Sequence, residues 1–442
     1  MSFGDERSRI AHLYRRAGFG VSPSELETAV MQGYDATLEL LLNPQDSHDA
    51  ADDRLSGLEF DFAVGEELQR WWLVRMRYSS RPLVEKMALF WHAHFTSAIT
   101  KVNGENLHMM KEQNELFRSQ GLGNFRDLLR NVSKDPAMIL WLDVNKSVKK
   151  DPNENFGREL LELFTLGVGN FAEDDVKAAA RAFTGWSVSN GDRKFIFHGQ
   201  DHDNGEKRFL GRTGNFDGDD IVNILVQQPA TAQLLATKLV RFFVIDPPDL
   251  NLVRSLAGSL IDSGYDIKRA LRQLFKSDVF SSHAAYHALI KSPAEFLTGM
   301  IRGFALETDG KGLTTMMTGM SQELFNPPDV SGWPGGPRWI ATDTMLARYN
   351  LASMITASTD DGSGLYLNPL QLFSGASDLT TEDVVGALTD FLVDGDLSAV
   401  AYARLVEYAG GDPDAEFDLE AQSLQALGLI YLLLTTPEYN LN

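Results

Sequence analysis

No cysteine occurs among the 442 residues. Disulfides, thiolate zinc sites, iron–sulfur clusters and a cysteine nucleophile are therefore excluded. Any metal would have to be held by His, Asp, Glu, Asn or backbone oxygen. Long apolar runs are also missing. A bilayer span needs about 20 consecutive apolar residues, and the longest candidate, LGLIYLLL from Leu427, is far shorter and reads as a buried helix. The opening stretch MSFGDERSRIAHLYRR is charged where a secretory signal would be apolar, so the expected compartment is cytoplasmic, with export beside a partner as the other route. Basic residues are scarce toward the C-terminus: from Ser358 onward 15 acidic residues face one basic, Arg404, a net of −14 out of −21 for the chain. A negative field repels phosphate backbones, so nucleic acid is not an expected partner.

What the chain does have is helix grammar. SPSELETAVMQG sets Ser22 as N-cap, Pro23 at the first helical position, Glu25 at the capping-box position and Gly33 as terminator. Ser292, Pro293 and Glu295 repeat that pattern, as do Asp151, Pro152 and Glu154 ahead of a helix closing at Gly167. Stretches with period 3.6 predict further helices over roughly 64–79, 81–95, 103–119, 172–185, 217–228, 230–245, 268–280 and 340–357. Strand alternation is confined to RKFIFHGQDHDNGEKRFLG, which predicts one hairpin near 193–210 with a polar turn. The fold class expected is mostly α: an irregular multi-helix large domain over 1–357 with one small β-hairpin insertion, a linker at 358–378, and an acidic C-terminal helical subdomain at 379–442.

Several polar residues fall in demanding positions. On the helix opened by Pro152, Phe156, Leu160, Leu163 and Phe164 form the apolar face. Asn155, Glu159 and Glu162 share a neighbouring face within about 60°, a set able to ligate a hard cation or to divide acid and base roles. Glu154 and Arg158 form an i,i+4 pair. In LFWHAHFTS the two histidines are one residue apart. On a helix His92 and His94 point about 200° apart and cannot chelate one ion, so only one of them faces a given site. His202 lies in the polar turn, where turn chemistry accounts for Asp201, Asp203 and Gly205, and the hairpin is positioned to bring His202 near His92 or Glu159. The loop NPPDVSGWPGGPRWIATDTMLARYN is too long and too rich in Pro and Gly for a mere connection. Its Trp333 and Trp339, with Trp186, supply walls for a cleft, and Arg338, Arg348 and Asn350 supply groups for an anion.

Seven segments, HLYRRAGFG (12–20), EKMALFWHAHF (85–95), DPNENFGRELLELFTLGVGNFAEDDVKAAARAFTGW (151–186), HDNGEKRFLGRTGNFDGDD (202–220), KLVRFFV (238–244), IKSPAEF (290–296) and LFNPPDVSGWPGGPRWIATDTMLARYN (324–350), resemble, in order, the bacterial domain of unknown function 1800 family. Gly157 stands where that resemblance leads one to expect alanine. The resemblance implies a largely helical fold and no known catalytic residue. It also implies a partner: a sulfatase-like exported protein is often encoded beside members. The functional reading is an enzyme of hydrolytic or group-transfer type on a polar, glycan-like substrate, assisted by a divalent metal held through Glu and His. Its catalytic residues are Glu159, Glu162 and His92. Its substrate-binding residues are Asn155, Arg158, Trp186, His202, Trp333, Trp339 and Arg348. The alternative is a non-catalytic binding or assembly partner of the sulfatase-like protein.

Overall fold

Local capping signals place many of the helices. In the computed structural model, which describes residues 5–44, 48–357, 365–374 and 377–442, the helix Pro23–Gln32 opens on a capping box of Ser22 and Glu25. Pro293–Gly303 opens the same way on Ser292 and Glu295. Each cap satisfies backbone N–H groups that the first turn leaves without partners. The third predicted start is shifted. Asn153, not Asp151, caps Glu154–Glu159, with its side chain accepting from the Asn155 N–H. That helix continues into a π-helical turn, Leu160–Thr165, and ends with the N–H groups of Leu166 and Gly167 both donating to the Leu161 carbonyl.

The described residues hold 22 α-helices and two small antiparallel sheets, so the fold is mostly α with a small β insertion. The strand pairing within that insertion corrects the single hairpin. Strand β1 (Trp186–Val188) pairs with β2 (Phe195–Phe197), and β3 (Lys207–Phe209) pairs with β4 (Arg212–Gly214). The two strands predicted to pair with each other are thus β2 and β3, each of which takes a nearer neighbour instead. Short loops close hairpins more readily than the long polar stretch between β2 and β3.

The helix Pro82–His94 runs through the centre, with 11 of its 13 residues buried. A helix that is apolar nearly all round belongs in a core. Its Trp91 stacks with Phe95 and Phe125, which also stack with each other, and Phe164 meets Phe95 edge-on. Its two charged residues are paired inside. Glu85 accepts from Arg118 Nε at 2.6 Å and from Trp72 Nε1 at 3.2 Å, while Lys86 is held by Glu295 and by the Gly18 carbonyl at 2.9 Å.

Part of the predicted linker, residues 358–364 and 375–376, lies outside the described residues. The helices that follow are fastened to the body by polar contacts: Arg15 binds Asp394 with both terminal nitrogens, and Lys291 donates to the Tyr439 carbonyl at 2.7 Å.

Candidate functional site

A cleft of about 320 Å³ opens where the C-terminal end of Pro82–His94, the helix Pro229–Phe243, the first turn of Pro293–Gly303 and the Trp333 loop come together. Phe90, Phe242, Trp333 and Trp339 give it aromatic walls, and His94, Lys238, Arg241, Glu295 and Gln322 give it polar groups. A glycine seats the loop. Gly332 has φ +90°, and a Cβ there would stand 2.9 Å from the Ala93 carbonyl, so only a residue without a side chain lets the loop close on the helix end.

The chemistry gathers at Lys238. Its Nζ donates to the Leu163 carbonyl at 2.8 Å and to His94 Nδ1 at 3.0 Å. Because an ammonium only donates, Nδ1 must be the unprotonated nitrogen of His94. Nε2 therefore carries the hydrogen and donates it to the Phe164 carbonyl at 3.2 Å. Both carbonyls belong to the end of the π turn, where backbone oxygens lack partners within the helix. Burial lowers Lys238 to about 8. Burial, with Lys238 adding to it, holds His94 well below its ordinary value, so the imidazole stays neutral.

An ammonium has three N–H bonds, and two of these are fixed. Among the described residues Lys238 has no third hydrogen-bond partner and no carboxylate within 4 Å, although its side chain lines the cleft. Loss of the third proton therefore leaves a lone pair directed away from both acceptors.

The expected site residues are dispersed. Trp333 and Trp339 line the cleft. His92 sits behind it, 1% exposed, with its ring 5.5 Å from that of Trp333 and 5.6 Å from that of Trp72. Burial takes it to about 3, and its Nε2 has no hydrogen-bond partner among the described residues; His92 buttresses Trp333. Glu159 and Glu162 are half-buried on the flank of the π-containing helix, where burial and then the neighbouring Glu162 raise Glu159. Asn155 is exposed, and Arg158 is engaged by Glu154 and Glu173. Trp186 packs on Phe183 and Phe195 in the β insertion. His202 is buried there too, its Nδ1 2.9 Å from the Thr184 carbonyl. Arg348 is buried, with its two terminal nitrogens bound by Asn440 and the Lys291 carbonyl. Among the described residues no three His, Asp or Glu side chains form a group that could hold a metal.

Lys238 and His94 carry the geometry, and only His94 was weighed from sequence. Lys238 was legible in principle as a cation three residues after Leu235 and four before Phe242, inside an apolar helix pattern.

A family model described as "Protein of unknown function (DUF1800)" matches residues 12–441. The chain belongs to the DUF1800 family. Comparison with curated proteins and with solved structures gave no match. In this DUF1800 chain, four of the segments that carry the family resemblance meet at the cleft. They contribute His94, Lys238 with Arg241, Glu295, and Trp333 with Trp339.

Proposed function

We propose that the protein is an enzyme of hydrolytic or group-transfer type. Its polar substrate lays a ring or similar face on Trp333 and Trp339 and gives up a proton to Lys238. The observation that carries the reading is the Lys238 amine, fixed by Leu163 and His94 with its remaining valence free on an aromatic-walled cleft. A general base works best when its proton affinity lies near the working pH, and burial brings Lys238 there. His94 positions the amine, His92 and Gly332 hold the Trp333 wall, and a glycan-like substrate suits such walls because sugar rings present apolar faces. Glu159 and Glu162 remain candidates for a separate acid–base role on the flank; the cleft does not need them.

The test is a panel of chromogenic glycosides and esters assayed with the wild type, Lys238→Met and Trp333→Ala. We expect turnover in the wild type that rises with pH to a plateau above about 8 and is lost in Lys238→Met. We also expect a raised KM in Trp333→Ala. Undiminished turnover in Lys238→Met would end the base assignment. Failure of the whole panel, with no ligand-induced change in tryptophan fluorescence, would favour the assembly-partner reading.

A further inference from the structure

Two features of the cleft go unused by a general base. One is the lone-pair direction of Lys238, which suits attack on carbon as well as on a proton. The other is Arg241, three residues along the same helix and lining the same cleft. Asp246 occupies Arg241 Nε at 2.9 Å. The two terminal nitrogens of Arg241 have no hydrogen-bond partner among the described residues. A guanidinium held by its Nε presents those nitrogens as a fork that fits a carboxylate. Residues three apart on a helix are neighbours, about 5 to 6 Å between their Cβ atoms.

We propose that Lys238 forms an imine with an acidic carbonyl compound, an aldehyde or 2-oxo acid, whose carboxylate is held by Arg241. The inference rests on the reading of the cleft as a substrate site and names the substrate class. The neutral amine attacks the carbonyl carbon, so that the C–N bond forms as the carbon–oxygen π pair moves onto oxygen. The first amine hydrogen passes from nitrogen to that oxygen directly, while His94 Nδ1 stays neutral and holds the amine by accepting its other N–H. The oxygen departs with both amine hydrogens as water, and nothing is oxidised or reduced. The absence of a carboxylate within 4 Å of Nζ among the described residues leaves the amine in its nucleophilic form more often than an ion-paired lysine would be.

The experiment is reductive trapping of the full chain with glyoxylate and cyanoborohydride at pH 7.5, followed by peptide mapping. An amine with an affinity near 8 is neutral about 200 times more often at that pH than an ordinary lysine, and its lower basicity offsets part of the gain. The adduct is expected at Lys238 at least about tenfold faster than at exposed Lys177. It should be absent from Lys238→Arg, and slowed in Arg241→Ala for glyoxylate but not for propionaldehyde. Labelling of Lys238 no faster than Lys177 would overturn the proposal, and equal glyoxylate rates with and without Arg241 would overturn the choice of an acidic substrate. Turnover of the glycoside and ester panel that needs Lys238, with no adduct, would leave the base and remove the imine. An adduct with no panel turnover would support the imine and remove the base.

Discussion

Replacing Lys238 with methionine turns the buried amine into a thermodynamic measurement. An ordinary lysine titrates near 10.4, and burial brings Lys238 to about 8. The gap corresponds to about 3 kcal/mol by which the folded chain disfavours the ammonium. Because the unfolded chain holds this proton more tightly, the penalty is present in full below pH 8. It is relieved as the pH rises from 8 toward 10.4. The wild type should therefore gain stability relative to Lys238→Met on going to higher pH, by about 1.3 kcal/mol between pH 7 and pH 9. Methionine matches the length of the stem but leaves the Leu163 carbonyl and His94 Nδ1 without a donor. That loss, about 1 kcal/mol for each, is the same at both pH values and cancels in the comparison. The assay is urea unfolding of both proteins at pH 7 and pH 9 followed by circular dichroism, with exposed Lys177→Met as control. The same wild-type-to-variant difference at the two pH values would refute the reasoning. A difference of opposite sign would mean that the carbonyl end of the π turn stabilises the cation more than burial penalises it.

Three further outcomes follow from the same kind of reasoning. Asp135 accepts from Gln113 at 2.6 Å and from the Met138 N–H at 2.9 Å, and burial raises it to about 7. The folded chain holds that proton more tightly, so wild-type stability should fall against Asp135→Asn as pH rises from 4 to 7, by about 3.3 kcal/mol over the window; parallel curves would contradict it. Gly332→Ala should lower the melting temperature clearly more than Gly336→Ala. Both have positive φ, but a side chain at 332 meets the Ala93 carbonyl whereas one at 336 meets open space; equal effects would remove the seat assigned to Gly332. Glu85→Gln should lose about 1.5 to 3 kcal/mol by removing the buried carboxylate's charge from its bonds to Arg118, which keeps Glu115 and Asn114, and an unchanged urea midpoint would show that the pair contributes little.

How much of this was legible depends on the distance over which each signal acts. Capping at Ser22 and Ser292 is settled within four residues, and both boxes form as the sequence predicts. The β insertion was read with the right strands and the wrong partners, because alternation marks Phe195–Phe197 and Lys207–Phe209 without saying what lies beside them. Trp186–Val188 hid at the end of a helical pattern. At the histidines the 200° argument was sufficient to separate the two rings. It did not say which faces the cleft, since that is set by a loop docking from more than 200 residues away. Lys238 was overlooked because a lysine on the edge of an amphipathic stripe usually snorkels to water. Its acceptors are backbone oxygens, which carry no side-chain signature.

The π turn also changes how the cleft could be lost or moved. Each i to i−5 bond encloses one residue more than its α-helical counterpart, so Leu160–Thr165 amounts to a surplus of length rather than an unusual choice of side chains. Removing a single residue there would let the helix close up and turn everything beyond it by about 100°. The carbonyls of Leu163 and Phe164 would swing away from Lys238 and His94 although every cleft side chain was still present. Grafting the Lys238–His94 pair onto another helical scaffold would thus require copying a residue count along with the residues.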